Sequence, residues 1–246
     1  MSYINKMSVL FIAEITKLIN LLKNYPLDVI GNTVSFIIAI TAIIFGVYKF
    51  SNVDNVENLI IYPLLLALIG TPSSSLREDI EIGTFEQVFN SNYTIAEILI
   101  CRSLISFITS FFPMTIILIL VRIFINTNTF LSPFTILLTL LNGISIGMIL
   151  VGLTMIYRKV GSLLNLVYLL SLIEFVIPSK YISSGRCIFE ALIPFSSVIL
   201  MGMSTNITFT TLFIAIFNTL FWSFLGYILY KSMYNYARKS GKLGRY

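Results

Sequence analysis

The acidic side chains of this sequence are concentrated in one place. Residues 77–92, REDIEIGTFEQVFNSN, carry Glu78, Asp79, Glu81 and Glu86, four of the chain's 11 acidic residues, with long apolar runs on both sides. Such a run can stay solvated, pair locally, or offer acceptors to a basic partner. The rest of the chain is poor in side chains that carry other chemistry. The sequence has no histidine, which removes zinc–histidine sites, Ser-His-Asp nucleophiles and histidine proton relays together. Its two cysteines, Cys101 and Cys187, have no metal-ligand spacing, and they are expected on opposite sides of a membrane, so no disulfide is expected. No G-x-x-x-x-G-K-[ST] loop occurs: Gly241-Lys242 is followed by Leu243 and lacks the leading loop. No two carboxylates share an apolar run and no serine sits in a Gly-flanked elbow, so an enzyme is not expected.

The elements around the connector are greasy. The composition is 57% hydrophobic and 11% charged, against about 25% charged in a soluble domain. Several apolar runs reach the roughly 20 residues that cross a bilayer. The N-terminus is apolar but interrupted by Glu14, Lys17, Asn20 and Lys23, with no small-residue cleavage site, so no cleavable signal peptide is expected. Over residues 7–24 the polar positions Glu14, Lys17, Asn20 and Asn24 recur in three- and four-residue steps, which predicts an amphipathic helix lying in the membrane interface and ended by Tyr25-Pro26. Six spans are expected after it, at 27–48, 58–76, 95–125, 132–157, 161–178 and 207–230. The expected fold is all-α and polytopic. The Asn, Ile and Lys content has the flavour of an AT-rich bacterial genome.

One more apolar run, 187–203, is short and broken by Glu190, Pro194 and Ser196-Ser197. Charge decides whether it crosses. If it does not, both termini are cytoplasmic and 12 of the 16 basic residues lie inside, among them Lys6, Lys17, Lys23, Arg77, Arg102, Arg158 and Lys159. If it does, the five C-terminal ones move out and the bias falls to seven against nine. Short basic loops stay in the cytoplasm, so the run is expected to re-enter from outside, with its non-helical backbone buried by protein. The net charge of +5 then reads as an anchor of the basic C-terminal tail on anionic inner-leaflet lipid, not as a nucleic-acid surface.

The connector itself has a readable pattern. Gly83 interrupts helix, and Thr84 with Gln87 has the spacing of a capping box, which predicts a short helix over 84–90. Phe85, Val88 and Phe89 fall on one face for the membrane or the other spans; Glu86, Gln87 and Asn90 fall on the others. Three readings of the acids stand at this point: a solvated loop, local pairs such as Arg77 with Glu81, worth a few tenths of a kcal/mol, or a docking surface for a soluble partner.

The run E-D-I-E-I-G-T-F-E-Q-V, residues 78–88, resembles the cytoplasmic connector of the ABC-2 family of ATP-binding-cassette transporter permeases. That connector has an acidic run, Gly-Thr, an apolar residue and Glu. The expected architecture, with an interfacial helix, six spans and a re-entrant element before the last, is similar to that family over the whole chain. The sequence departs from the pattern at Phe85, where Leu is usual, and at Asn90-Ser91-Asn92, where Pro often follows Ser. The resemblance implies a coupling helix at 84–90, with Glu81, Gly83, Thr84, Phe85, Glu86 and Gln87 meeting a separate ATPase. It further implies two such ATPase subunits holding the ATP and Mg, a second permease chain of the same or a sister sequence, and a bacterial cytoplasmic membrane. The implied work is export of a hydrophobic or amphipathic substrate such as a drug, a lipid-linked molecule or an amphipathic peptide. A secondary transporter or channel is the competing reading.

Residues of a substrate path are sought in the spans. Ser74, in the Ser73-Ser74-Ser75 cluster beside Pro72, is one candidate. Ser162, Asn165 and Tyr168 share a face of the fifth span, where small and polar side chains more often pack helices together. Glu174 lies late in the same span. An ionisable group there is a functional candidate, although near the outer interface it can pair with Lys180 or Arg186. Glu97 and Arg102 are expected to mark the inner interface.

Overall fold

A computed structural model describes residues 3–51, 56–89, 91–125, 132–157, 160–176, 192–203 and 209–241. The described residues are helical and contain no strand. They form α1 (Tyr3–Asn24), α2 (Pro26–Ser51), α3 (Val56–Ile82), α4 (Phe85–Phe89), α5 (Ile95–Ile125), α6 (Pro133–Tyr157), α7 (Gly161–Val176), α8 (Ser196–Met203) and α9 (Phe209–Lys239). Five of them, α2, α3, α5, α6 and α9, are long and apolar enough to cross a membrane. The chain is a polytopic helical membrane protein by that measure. Of the expected fifth span, 161–178, the described part is helical: α7 has 16 residues, about 24 Å of helix. Residues 177–178, where that span was expected to end, lie outside the described residues. So do Cys187, Lys180, Arg186, Arg158, Lys159, Asn90 and the first part of the 187–203 run.

Local chemistry explains where the helices begin and end. Pro26 opens α2, where a proline costs no hydrogen bond, and Tyr25 still gives its N–H to Leu21 O at 2.9 Å, so α1 turns directly into α2. α3 runs six residues beyond the expected span, through Arg77-Glu78-Asp79-Ile80-Glu81-Ile82, because nothing there breaks a helix before Gly83. Gly83 does break it: its φ is +82°, a conformation that costs glycine no side-chain clash, and its N–H closes the helix on Ile80 O at 3.2 Å. The last helix likewise continues past the expected Tyr230 to Lys239, so most of the basic tail is helical.

α3 and α6 form the centre, with α9, α5 and α2 around them. The central seam runs over Leu64, Leu65, Leu68 and Ile69 of α3 and Leu138, Ile146 and Leu150 of α6. In a membrane there is little hydrophobic drive between helices, so close packing of small residues takes its place. Pro72 has no N–H to give to the Leu68 carbonyl, and Gly147 packs on that carbonyl: a Cβ there would lie 2.7 Å from Leu68 O. On the other side of α6, a Cβ at Gly226 of α9 would lie 2.6 Å from Ser145 O.

α8 is about 12 Å long and lies against α3, α6 and α9. Phe195, just before it, is buried with a left-handed φ of 71°. A bulky side chain rarely adopts that backbone, and here the neighbours hold it. Asn218 of α9 donates to Ile193 O at 2.8 Å. Asn142 of α6 donates to Ser197 Oγ at 2.7 Å and Thr219 Oγ1 at 3.2 Å. Polar side chains thus tie α8 and the turn before it to two of its three helical walls, α6 and α9.

Candidate functional site

The acidic connector is held from three sides. Its centre is Arg102, two turns into α5, a buried guanidinium that donates from Nε to Glu14 Oε1 of α1 at 2.9 Å and from Nη1 to Asp79 Oδ2 of α3. Lys17 Nζ of α1 stands 3.7 Å from Asp79 Oδ1. An ionisable group in an apolar helix requires such partners, and α1 brings them. Arg102 is therefore a buried node joining α1, α3 and α5, where the sequence had indicated an interface marker.

Past Gly83 the chain is anchored again. The capping box expected of Thr84 and Gln87 is not formed. The Thr84 hydroxyl turns back to Asp79, donating to its main-chain O at 3.3 Å and its Oδ1 at 3.4 Å, and the Gln87 N–H goes to Thr84 O at 3.0 Å. A reciprocal capping box does occur ten residues on: Thr94 N donates to Glu97 Oε2 at 2.7 Å and Glu97 N to Thr94 Oγ1 at 3.2 Å, which starts α5. Lys6 Nζ reaches the same Glu97 Oε2 at 3.4 Å, and Tyr93 donates to Lys6 O at 3.2 Å. Phe85 is 1% exposed, in a cluster with Leu76, Leu99, Met155 and Tyr230. Val88 packs on a second cluster built around Leu10, Ile98, Cys101 and Ile105.

Of the residues expected to meet an ATPase, Glu81, Gly83 and Gln87 are exposed and Thr84 is half-buried. Phe85 cannot be an exposed contact in this conformation; it plugs the short helix into the bundle. α4 is described over 85–89, and nothing is described of the Glu86 side chain. The local pair is present: Arg77 Nε donates to Glu81 Oε1 at 2.9 Å. Glu78 is exposed and Asp79 is buried, so neighbouring acids in the run face different environments.

The candidate path residues are only partly brought together. Ser74 and Asn165 line a cavity of about 260 Å³ with Ser73, Arg77, Thr154 and Gly161. The hydroxyls of Ser73, Ser74 and Thr154 donate to their own helices, at Gly70 O, Thr71 O and Leu150 O, so they present acceptors to that space. Ser162 is exposed and does not line it. Tyr168 packs α7 on α3: its ring fills the space over Gly70, and its carbonyl accepts from the Tyr62 hydroxyl at 2.8 Å. The Glu174 side chain lies outside the described residues.

A further feature escaped the sequence reading. On α2, Asp28, Asn32, Ser35, Ala39 and Ala42 fall within one narrow stripe at helical spacing, and all five are exposed. Their spacing alone would have shown the stripe. That it faces outward required the packed bundle. Comparison of the whole chain with known proteins matched no family model, no curated protein and no solved structure.

Proposed function

We propose that the chain is the membrane subunit of an ATP-driven exporter of the ABC-2 kind, with the connector as the part its ATPase pushes. The observation that carries this reading is the mounting of α4. Phe85 seats it in a buried cluster shared by α3, α5, α6 and α9, and Asp79, at the base of the connector, is bonded to α5 and stands beside Lys17 of α1. Meanwhile Glu81, Gly83 and Gln87 stay exposed. A load applied there is handed directly to several membrane helices, which is what a separate motor requires. The outward stripe of small and polar residues on α2 supports a second permease chain, since small residues let helices approach closely and a facing protein wall relieves the cost of the Asn32 amide in lipid. On this reading the motor subunits hold ATP and Mg, and the connector and both termini face the cytoplasm. The cargo is hydrophobic or amphipathic: a drug, a lipid-linked molecule or a peptide.

The test is co-purification. The tagged chain is expressed with its genomic neighbours, extracted in mild detergent, and compared with Glu81→Lys. A separate ATPase that accompanies the parent and is lost or uncoupled in the variant is the expected result. If no ATPase accompanies the intact chain, the proposal fails and a secondary transporter or channel takes its place.

A further inference from the structure

A second cavity, of about 230 Å³, opens between α1, α3 and α5 on the side of the Arg102 node. Four charged side chains line it: Glu14, Arg102, Lys17 and Glu78. They are not equivalent. Arg102 and Glu14 are spent on each other, and Arg102 also on Asp79. Glu78 has no hydrogen-bond or ion partner among the described residues, and it is exposed. The Lys17 side chain is 52% exposed, and its ion pair is long, at 3.7 Å. The cavity therefore offers one carboxylate and one ammonium with capacity to spare. Together they complement a ligand that carries an ammonium and a phosphate.

The rest of the lining says where such a ligand comes from. Thr71 and Glu78 on α3, and Thr109 and Arg102 on α5, each lie seven residues apart, about 10 Å along the helix. The charges sit at the connector end, and the hydroxyls of Thr71 and Thr109 lie deeper along the helices. Leu18 and Leu21 of α1 add an apolar wall. Charges at the connector end, hydroxyls deeper in two membrane-spanning helices and apolar side chains in the same lining suit a phospholipid at the bilayer boundary. The volume is below that of a typical drug-sized pocket, so it fits a headgroup whose acyl chains stay outside. An anionic headgroup would leave Glu78 facing like charge. A quaternary ammonium has no N–H to give to it.

We propose that this cavity binds the headgroup of a phospholipid bearing a phosphate and a primary ammonium, with Lys17 on the phosphate and Glu78 on the ammonium. The inference does not depend on an ATPase partner.

The experiment uses the purified full chain, stripped of lipid in detergent. It is offered equal amounts of phosphatidylethanolamine, phosphatidylcholine and phosphatidylglycerol with identical acyl chains, and retained lipid is counted by native mass spectrometry. The ethanolamine lipid should be kept about fivefold over either other, the ratio set by one added hydrogen bond of ordinary strength. Glu78→Gln and Lys17→Gln should each abolish that preference. Both replace exposed side chains, and a circular-dichroism spectrum and melting temperature matching the parent's check that each is folded. Equal retention of the three lipids, a preference for the anionic one, or a preference that survives either substitution would overturn the proposal.

Discussion

Arg102→Met is the most informative single change in this molecule. Removing the guanidinium strands two carboxylates whose side chains are only 14% and 5% exposed, Glu14 and Asp79. A hydrogen bond to a charged group contributes about 1.5–3 kcal/mol, so the two lost bonds bound the effect at about 3–6 kcal/mol. Part is recovered. Lys17, at 3.7 Å, and the Thr84 hydroxyl still serve Asp79, and water can reach Glu14 through the adjoining cavity. The expected net loss is about 3 kcal/mol, the low end of what breaking a buried pair costs. It should appear as release of α1. Cys101, next to Arg102, is a buried free thiol, and Met7, Phe11 and Ile15 of α1 pack on its cluster. With Cys187→Ala in the background, the rate of maleimide labelling at Cys101 reports that release when opening is a rapid pre-equilibrium. Arg102→Met should label about 100-fold faster, the factor for about 3 kcal/mol. The triple change Glu14→Gln, Asp79→Asn, Arg102→Met leaves no stranded charge and should fall within about tenfold of the parent. A rise below about fivefold for the single variant would refute the reasoning, since the node would then contribute under about 1 kcal/mol. So would a triple variant as fast as the single, because lost packing rather than stranded charge would then be the cause.

Three further outcomes follow from the packing. Phe85→Ala empties a fully buried position and should cost about 3–5 kcal/mol, seen as a lower melting temperature in detergent, whereas Gln87→Ala at an exposed position should stay within about 0.5 kcal/mol. Asn142→Leu removes two bonds from α6 to α8 and α9, each about 0.6 kcal/mol on average and at most about 1.7; a Ser196→Cys reporter on α8, which leaves both bonds in place in the parent, should then label several-fold faster. Gly226→Ala drives a methyl into Ser145 O, 2.6 Å away, and should lower the melting temperature by the equivalent of about 1–3 kcal/mol. Gly31→Ala, with nothing within 4 Å, should not lower it, since alanine is the better helix former.

What the sequence showed depended on how far each feature reached along the chain. The helices were legible because apolar length and breakers such as Pro26 and Gly83 are local. The Arg77–Glu81 pair was legible for the same reason, as an i,i+4 spacing. The Arg102 node was not, since Glu14 lies 88 residues away and Asp79 lies 23. A signal existed all the same: Arg102 sits in an apolar helix and has to be neutralised, and α1 carries Glu14 and Lys17 one turn apart. Thr84 misled because its spacing to Gln87 satisfies a local rule, while Asp79, one turn back on α3, presents a charged acceptor to the same hydroxyl. For Phe85 the two readings diverged: the motif resemblance put it among the partner contacts, whereas its helical spacing put it on the face turned to the membrane or the other spans, and its burial agrees with the spacing.

The concentration of acids in the connector is not one feature with one purpose. Successive residues of an α-helix point about 100° apart, so Glu78, Asp79 and Glu81 leave α3 in three directions. Glu78 lines the cavity beside α1, Asp79 turns into the bundle to Arg102, and Glu81 lies outside against Arg77. A partner arriving at the surface meets Glu81 and the exposed turn at Gly83, one residue from the Thr84 that is bonded to Asp79. The surface handle and the buried node are thus joined within one turn of chain. Neutralising Glu81 should affect only what docks there, whereas neutralising Asp79 should loosen α1, α3 and α5 whether or not anything docks. Comparing Glu81→Gln with Asp79→Asn in the Cys101 labelling assay separates the two roles: the first should match the parent, and the second should approach Arg102→Met, because a neutral amide holds the guanidinium less firmly than a carboxylate does. Equal rates for the two variants would mean that the connector acts as a single charged patch after all.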